Sequence, residues 1–189
     1  MLNALTYSHH LLDKLIESFP EGNFVDATLG KGNDAYYIAS HPSFNGHVYG
    51  FDVQDKAIQL SKKKFNNQYK RKVSFIHDSH AHVDQYLPAT IHGAIFNLGY
   101  LPGGDESITT LPESTLKSVH HLLELLEVHG QIILVVYWGH DNGKIEKEHL
   151  LNHLSSLNQY FYQVLTYQFI NQINQPPFVI VIEKLRPLT

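Results

Sequence analysis

Phe24-Val25-Asp26-Ala27-Thr28-Leu29-Gly30-Lys31-Gly32, running on into Asn33-Asp34-Ala35, decides the fold of this chain. A short apolar run breaks there into a tight glycine turn. A second apolar run, His47-Val48-Tyr49-Gly50-Phe51, ends on Asp52, 22 residues after Gly30. Two glycines let the backbone approach a ligand closely, and an acid ending the next strand holds ribose hydroxyls. The layout predicts a nucleotide-type site on a parallel sheet.

Outward from that stretch, apolar and polar segments alternate in a β-α-β-α rhythm. The pattern predicts a helix over 9–19 capped by Ser8, a strand over 23–27, a helix over 33–40 and a strand over 47–51. A helix over 55–67 and strands over 73–76 and 91–97 follow, then a polar loop, 98–111. Beyond it come a helix over 113–127, a strand over 131–137 and a helix over 144–157. The continuous Ile132-Ile133-Leu134-Val135-Val136 run fits a strand buried on both faces. Segments 160–170 and 178–183 lie close enough to form a terminal hairpin-like pair, and Pro176 and Pro177 forbid regular structure at the tip, 171–177, between them. Alternating units imply a parallel sheet with helices on both faces. The antiparallel ending departs from a plain dinucleotide-binding fold. It fits an α/β, Rossmann-like class I methyltransferase fold better: a seven-stranded, mostly parallel sheet in one domain, residues 1–189.

Composition narrows the classes. Hydrophobic residues make up 43% of 189, enough for a buried core. No apolar run reaches membrane-spanning length, the start lacks signal-peptide character, and there is no cysteine, so a cytoplasmic location without a membrane partner is expected. Net charge is −4, which excludes a general polyanion binder; an RNA footprint would be local, at Lys62-Lys63-Lys64 with Lys70-Arg71-Lys72. The plainer reading of those lysines, a solvated helix face, is the favoured one. His149 and His153 share a helical face without a third ligand, so no metal site is expected. Monomer and homodimer are both compatible with the pattern.

Two cofactors compete for the glycine turn. Gly30-Lys31-Gly32-Asn33-Asp34-Ala35 satisfies G-x-G-x-x-A, which admits a nicotinamide cofactor. Asp26 on the strand end would neutralise a cationic amino acid moiety. Asn33 and Asp34 stand where a dinucleotide fold presents amides to pyrophosphate, and a carboxylate there repels phosphate but suits a sulfonium or ammonium. Asp78, Ser79 and His80, after the third strand, are positioned to meet an adenine, and Gln54 neighbours Asp52 on the adenosine. Together these favour S-adenosylmethionine, with Thr28 and Asn97 also in the site. Asp52→Ala is expected to weaken cofactor binding at least about tenfold with the fold intact. Plain structural readings stand beside these: a turn-stabilising Asp26, and a helix cap at Asp78 and Ser79.

The fourth strand ends in Phe96-Asn97-Leu98-Gly99-Tyr100-Leu101-Pro102-Gly103-Gly104-Asp105, placed to meet a methyl donor. Asn97 would align a neutral amine and Tyr100 would stack a base. Tyr137-Trp138-Gly139-His140 would add another wall, with His140, like Asp105, a weaker candidate for accepting a proton or contacting RNA.

These blocks, with Ser107-Ile108-Thr109-Thr110 and Phe169-Ile170-Asn171-Gln172, strongly resemble the bacterial YtqB family, also called MnmM and long labelled rRNA methylases. The likeness runs through essentially the whole chain. It implies methylation, by S-adenosylmethionine, of wobble 5-aminomethyl-(2-thio)uridine in tRNA to the 5-methylaminomethyl form, hence a tRNA partner engaged at its anticodon region. Where some relatives read Tyr-His-Gly-His, this chain reads Tyr137-Trp138-Gly139-His140. Rival readings are a methyltransferase acting on rRNA or a small amine, a nicotinamide-dependent oxidoreductase, and a noncatalytic RNA-binding module.

Overall fold

The structure, a computed structural model, describes residues 1–65, 68–99, 111–139 and 141–188. Helix α1 (Ala4–Ser18) leads into strand β1 (Asn23–Asp26), helix α2 (Asn33–Ser40), strand β2 (His47–Asp52) and helix α3 (Asp55–Lys64). Then come β3 (Val73–His77), β4 (Ile91–Leu98), α4 (Pro112–Leu125), β5 (Leu126–Val136), α5 (Asp141–Leu154), β6 (Tyr162–Tyr167) and β7 (Phe178–Lys184). The seven strands form one sheet in the order β3-β2-β1-β4-β5-β7-β6. Strands β1 to β5 pair in parallel, and β7 inserts antiparallel between β5 and β6. A seven-stranded, mostly parallel sheet with an antiparallel ending is what the alternating units and the last two segments predict.

Strand parity sorts the core into two layers. Val25, Ala94, Ile132 and Ile182 lie in one cross-strand row and belong to the cluster that α4 and α5 cover. The next row, Ile95, Ile133 and Val181, faces the opposite cluster, where α1 and α2 bury Leu12, Ile16 and Ile38. Asp26 pairs with Ile95 and so points toward that second layer. The run Ile132–Val136 is wholly buried, as a strand covered on both faces must be.

Several elements depart from the sequence reading: β5 begins at Leu126, where the sequence predicts a helix over 113–127 and a strand only from 131, and α5 lies three residues earlier than 144–157. Helix α1 starts before Ser8: Asn3 Oδ1 accepts from the Thr6 amide at 2.9 Å as the cap, while Ser8 is buried and its hydroxyl donates to the Leu5 carbonyl at 2.8 Å. A serine bonding back within a helix is compatible with helical backbone, so the earlier asparagine takes the capping role. Helix α3 stops at Lys64, because Phe65 turns extended and buries its ring against Tyr36, centroids 5.3 Å apart.

The candidate active site

A cavity of about 600 Å³ opens at the carboxyl ends of β1, β2 and β4. Open parallel sheets bind ligands at this edge, where strand ends and helix starts expose polar backbone. Its floor is the turn after β1. Gly30 and Gly32 both adopt left-handed backbone, φ 51° and 71°, and Gly32 is the residue from which α2 starts. A Cβ on Gly32 would stand 2.8 Å from the Ser61 hydroxyl, which itself donates to the Gly30 carbonyl at 3.0 Å. The glycine at 32 is therefore required both by its conformation and by helix α3 packed behind it.

Carboxylates tie this turn together. Asp52 accepts from the Gly30 amide through Oδ2 and from the Gln54 amide through Oδ1, each at 2.8 Å. Asp26 accepts from the Ala35 amide at 3.0 Å and from the Thr28 amide at 3.3 Å. Burial raises the Asp26 carboxyl well above its usual range, and the neighbouring Asp34 pushes it the same way against the lowering by those two amides. Asp26 and Gly32 stand behind the cavity wall rather than on it. Thr28, Gly30, Asn33, Asp34, Asp52 and Gln54 line the wall itself.

Opposite the turn, Asp78, Ser79 and His80 also line the cavity. The Asp78 carboxylate accepts from Tyr86 OH at 2.8 Å, lies 3.0 Å from His82 Nδ1, and is held below the usual carboxylate range by the His82 and Tyr86 bonds. Ser79 caps the 3-10 turn His80–Gln85 by accepting from Ala81 N at 3.2 Å. His80 Nδ1 sits 3.1 Å from the Ala27 carbonyl, and burial pushes its imidazole down to about 4.

At the third corner Asn97 is held at both ends. Its amide nitrogen donates to Thr28 Oγ1 at 2.7 Å, and its side-chain Nδ2 donates to Asp34 Oδ2 at 2.6 Å. Asp34 as a carboxylate only accepts, so Nδ2 faces it and Oδ1 is left as the acceptor for a ligand. The other Asp34 oxygen contacts His9 Nε2 at 2.7 Å. His9 stacks on Tyr37 with centroids 4.0 Å apart, and Tyr7 stacks on Tyr167 at the same distance, anchoring α1 against β6.

Leu5 and His9 of α1, Lys31, and Leu111 and Ser114 at the start of α4 complete the cavity beyond the residues the sequence singled out. Tyr137, from the predicted additional wall, lines it too. Nothing local marks His9: it sits on an amphipathic helix, and only the α1–α2 packing brings it to Asp34. Tyr100, Asp105 and His140 lie outside the described residues.

The arrangement favours a cationic ligand over a pyrophosphate. Amides of the turn that a dinucleotide fold offers to phosphate, those of Gly30 and Ala35, donate here to Asp52 and Asp26. Asp34 and Asp52 face the cavity, with Asp26 behind them. Anionic phosphate would be repelled, whereas a sulfonium or ammonium would be attracted.

Comparison with known proteins agrees with this geometry. Residues 48–183 match the family described as "Putative rRNA methylase". A solved protein of that description from Clostridium thermocellum is 41% identical, with 98% of this chain and 99% of that one superposing at a TM-score of 0.91. A methyltransferase-type protein from Streptococcus mutans, solved in complex with SAH, is 36% identical over 98% of this chain and 99% of its own, TM-score 0.88. The chloroplastic tRNA (mnm(5)s(2)U34)-methyltransferase of Arabidopsis thaliana is 36% identical over 135 residues, 66% of this chain. This chain spans about half of that relative's length, 49%. The fold, the glycine turn with its carboxylates, and the match over 48–183 together place this chain in the rRNA methylase family of Rossmann-like methyltransferases.

Proposed function

We propose that the chain acts as one S-adenosylmethionine-dependent methyltransferase domain, residues 1–189, that methylates the aminomethyl nitrogen of wobble 5-aminomethyl-(2-thio)uridine in tRNA, in the cytoplasm. The observation that carries the cofactor is the set of carboxylates around the glycine turn. Asp52 would accept from the ribose hydroxyls through its remaining lone pairs, beside Gln54. Asp78, Ser79 and His80 would frame the adenine, and Asp34 with Asn33 the charged amino acid end. The tRNA substrate rests on the activity named for the Arabidopsis relative, while the family's own description names rRNA, the rival substrate.

When bound, S-adenosylmethionine supplies an electrophilic methyl group, transferred as the C–S electron pair returns to sulfur. Asn97 Oδ1 would accept one N–H of the incoming amine and aim its lone pair across the cavity, held by Thr28 and Asp34. Leu5 and Leu111, exposed at the cavity, would offer the incoming base apolar contact. The new N–C bond leaves a secondary ammonium, whose proton passes to solvent. Orientation of this kind carries a large share of such a barrier, up to roughly 7–11 kcal/mol.

Labelled S-adenosylmethionine and tRNA bearing the 5-aminomethyl group, followed by nucleoside mass spectrometry, test this reading. A gain of about 14 daltons, a methyl group in place of one amine hydrogen, on the wobble uridine is expected. No transfer to that nucleoside, with cofactor bound and rRNA methylated instead, would replace the substrate. Tight NADH binding without binding of S-adenosylmethionine would overturn the reading altogether.

A further inference from the structure

Charge is unevenly distributed along this acidic chain. Segment 53–77 holds seven of the 14 lysines and arginines and one of the 18 acids, Asp55, so the remainder carries a net −10. The seven fall on α3 and on the 3-10 turn Lys70–Lys72, at the β3 edge of the sheet. Lys62, Lys63, Lys64, Lys70 and Arg71 are exposed.

A solvated helix face explains charge but not the contacts among these residues. Lys64 Nζ donates to Asn33 Oδ1, on the cavity wall, and lies 5.6 Å from the centre of the Tyr36 ring. Tyr36 meets Tyr69 edge-on, centroids 5.8 Å apart, and Tyr69 is the residue from which the Lys70–Lys72 turn starts. Cations and half-buried rings therefore run without a break from the cavity wall to the far end of the turn. Lys31, also on the wall, extends the same sign toward the cavity.

We propose that this α3–Lys70 edge is where the phosphate backbone of the RNA substrate docks while the reacting base occupies the cavity. The inference rests on the RNA reading given above and adds the surface. A ridge of lysines suits RNA: ammonium groups track phosphates as point charges, and the half-buried tyrosines between them hold the ridge in place. The acidity of the remaining surface restricts docking to this edge, since like charges elsewhere repel the backbone. Lys64 and Lys72 are tied to the protein, by Asn33 and by the Phe44 carbonyl, and give the ridge fixed ends.

The test compares Lys62→Glu/Lys63→Glu/Lys70→Glu with a matched control, Lys14→Glu/Lys117→Glu/Lys144→Glu, all six lysines being exposed. Binding of tRNA bearing 5-aminomethyluridine is measured across salt concentrations, and S-adenosylmethionine binding by titration calorimetry. The expected result is tRNA affinity lowered at least about tenfold at low salt by the ridge variant. The slope of log K against log salt should also be shallower by about 2–3, since each phosphate contact contributes close to one. The control should change tRNA affinity less than about threefold, and both variants should bind the cofactor as the parent does. Unchanged tRNA affinity in the ridge variant, or an equal loss in the control, overturns the inference, as does a parent protein that binds no tRNA. If the ridge variant does not fold, Lys62→Gln/Lys63→Gln/Lys70→Gln is expected to show a smaller loss of the same salt dependence, and no loss overturns the inference. A parent that binds tRNA through the ridge but transfers no methyl group defeats the proposed reaction and leaves the docking surface standing.

Discussion

Replacing Asp52 by alanine should damage two things at once, and their separation tests the site. The carboxylate holds the Gly30 and Gln54 amides at 2.8 Å each, so it staples the glycine turn to the end of β2 before any ligand arrives. A hydrogen bond to a charged group contributes about 1.5–3 kcal/mol. Water at the cavity wall will replace part of that, so we expect a loss of roughly 2–3 kcal/mol for the pair rather than the full sum. For a chain of this size that is about 4–12 °C in Tm. The expectation of an intact fold, drawn from sequence, is thus revised to a folded but weakened one. Cofactor affinity should fall about 10- to 100-fold in addition, from the lost bonds to ribose. Differential scanning fluorimetry without ligand reads the first effect and calorimetric titration with S-adenosylmethionine reads the second. An unchanged Tm would refute the stapling argument; unchanged affinity in a folded variant would refute the ribose role.

If Asn97 accepts from the amine as proposed, Asn97→Ala should lower kcat by about 10- to 100-fold while cofactor affinity moves less than about threefold; a parallel loss of cofactor binding would assign Asn97 to the cofactor instead. His9→Phe keeps a ring to stack on Tyr37 but removes the contact to Asp34, so kcat should drop about threefold to tenfold with little change in Tm. If kcat is untouched, Asp34 holds Asn97 without help from α1. Gly32→Ala combines φ 71° with a Cβ 2.8 Å from the Ser61 hydroxyl and should destabilise by about 2–4 kcal/mol in urea titration, where a loss under 1 kcal/mol on the order of noise would contradict the packing. His80 is pushed down to about 4, below its ordinary 6.5, so the unfolded chain binds its proton first. Its contribution is complete above about pH 6.5 and is lost as pH falls toward 4, by about 3 kcal/mol. Stability measured from pH 7 to 4 should show that slope in the parent and lack it in His80→Asn; identical slopes would place the acid sensitivity elsewhere.

The glycine turn, Asp52 and the strand ends were legible in the sequence because each depends on local rules. Glycine supplies left-handed backbone at Gly30 and Gly32, and an apolar run of β-formers ends where its acid begins. Parity along β1 was equally available and bears on Asp26. Phe24 and Asp26 are two residues apart, so they share a face, and Phe24 belongs to the layer under α1 and α2. That places the Asp26 carboxylate under the start of α2, on the Ala35 amide, rather than on the cavity wall. What it contributes to a ligand is the position of the turn it holds, through the Ala35 and Thr28 amides.

His9 shows what no local rule supplies. Its contact with Asp34 spans 25 residues and exists because Leu12, Leu15 and Ile16 seat α1 on the sheet layer that also carries α2. The amphipathic pattern of α1 tells which face is buried but not which neighbour meets the opposite edge, and Asp34 gives no hint that it has two side-chain partners. Once His9 and Asn97 are seen on the two oxygens of one carboxylate, the logic of Asp34 changes. Its charge suits the cofactor, while its geometry fixes Asn97, the acceptor that the proposed amine substrate would meet. A single buried-edge acid thereby links the first helix, the glycine turn and the end of β4, so substitutions in α1 should be felt in the rate of transfer rather than in cofactor affinity.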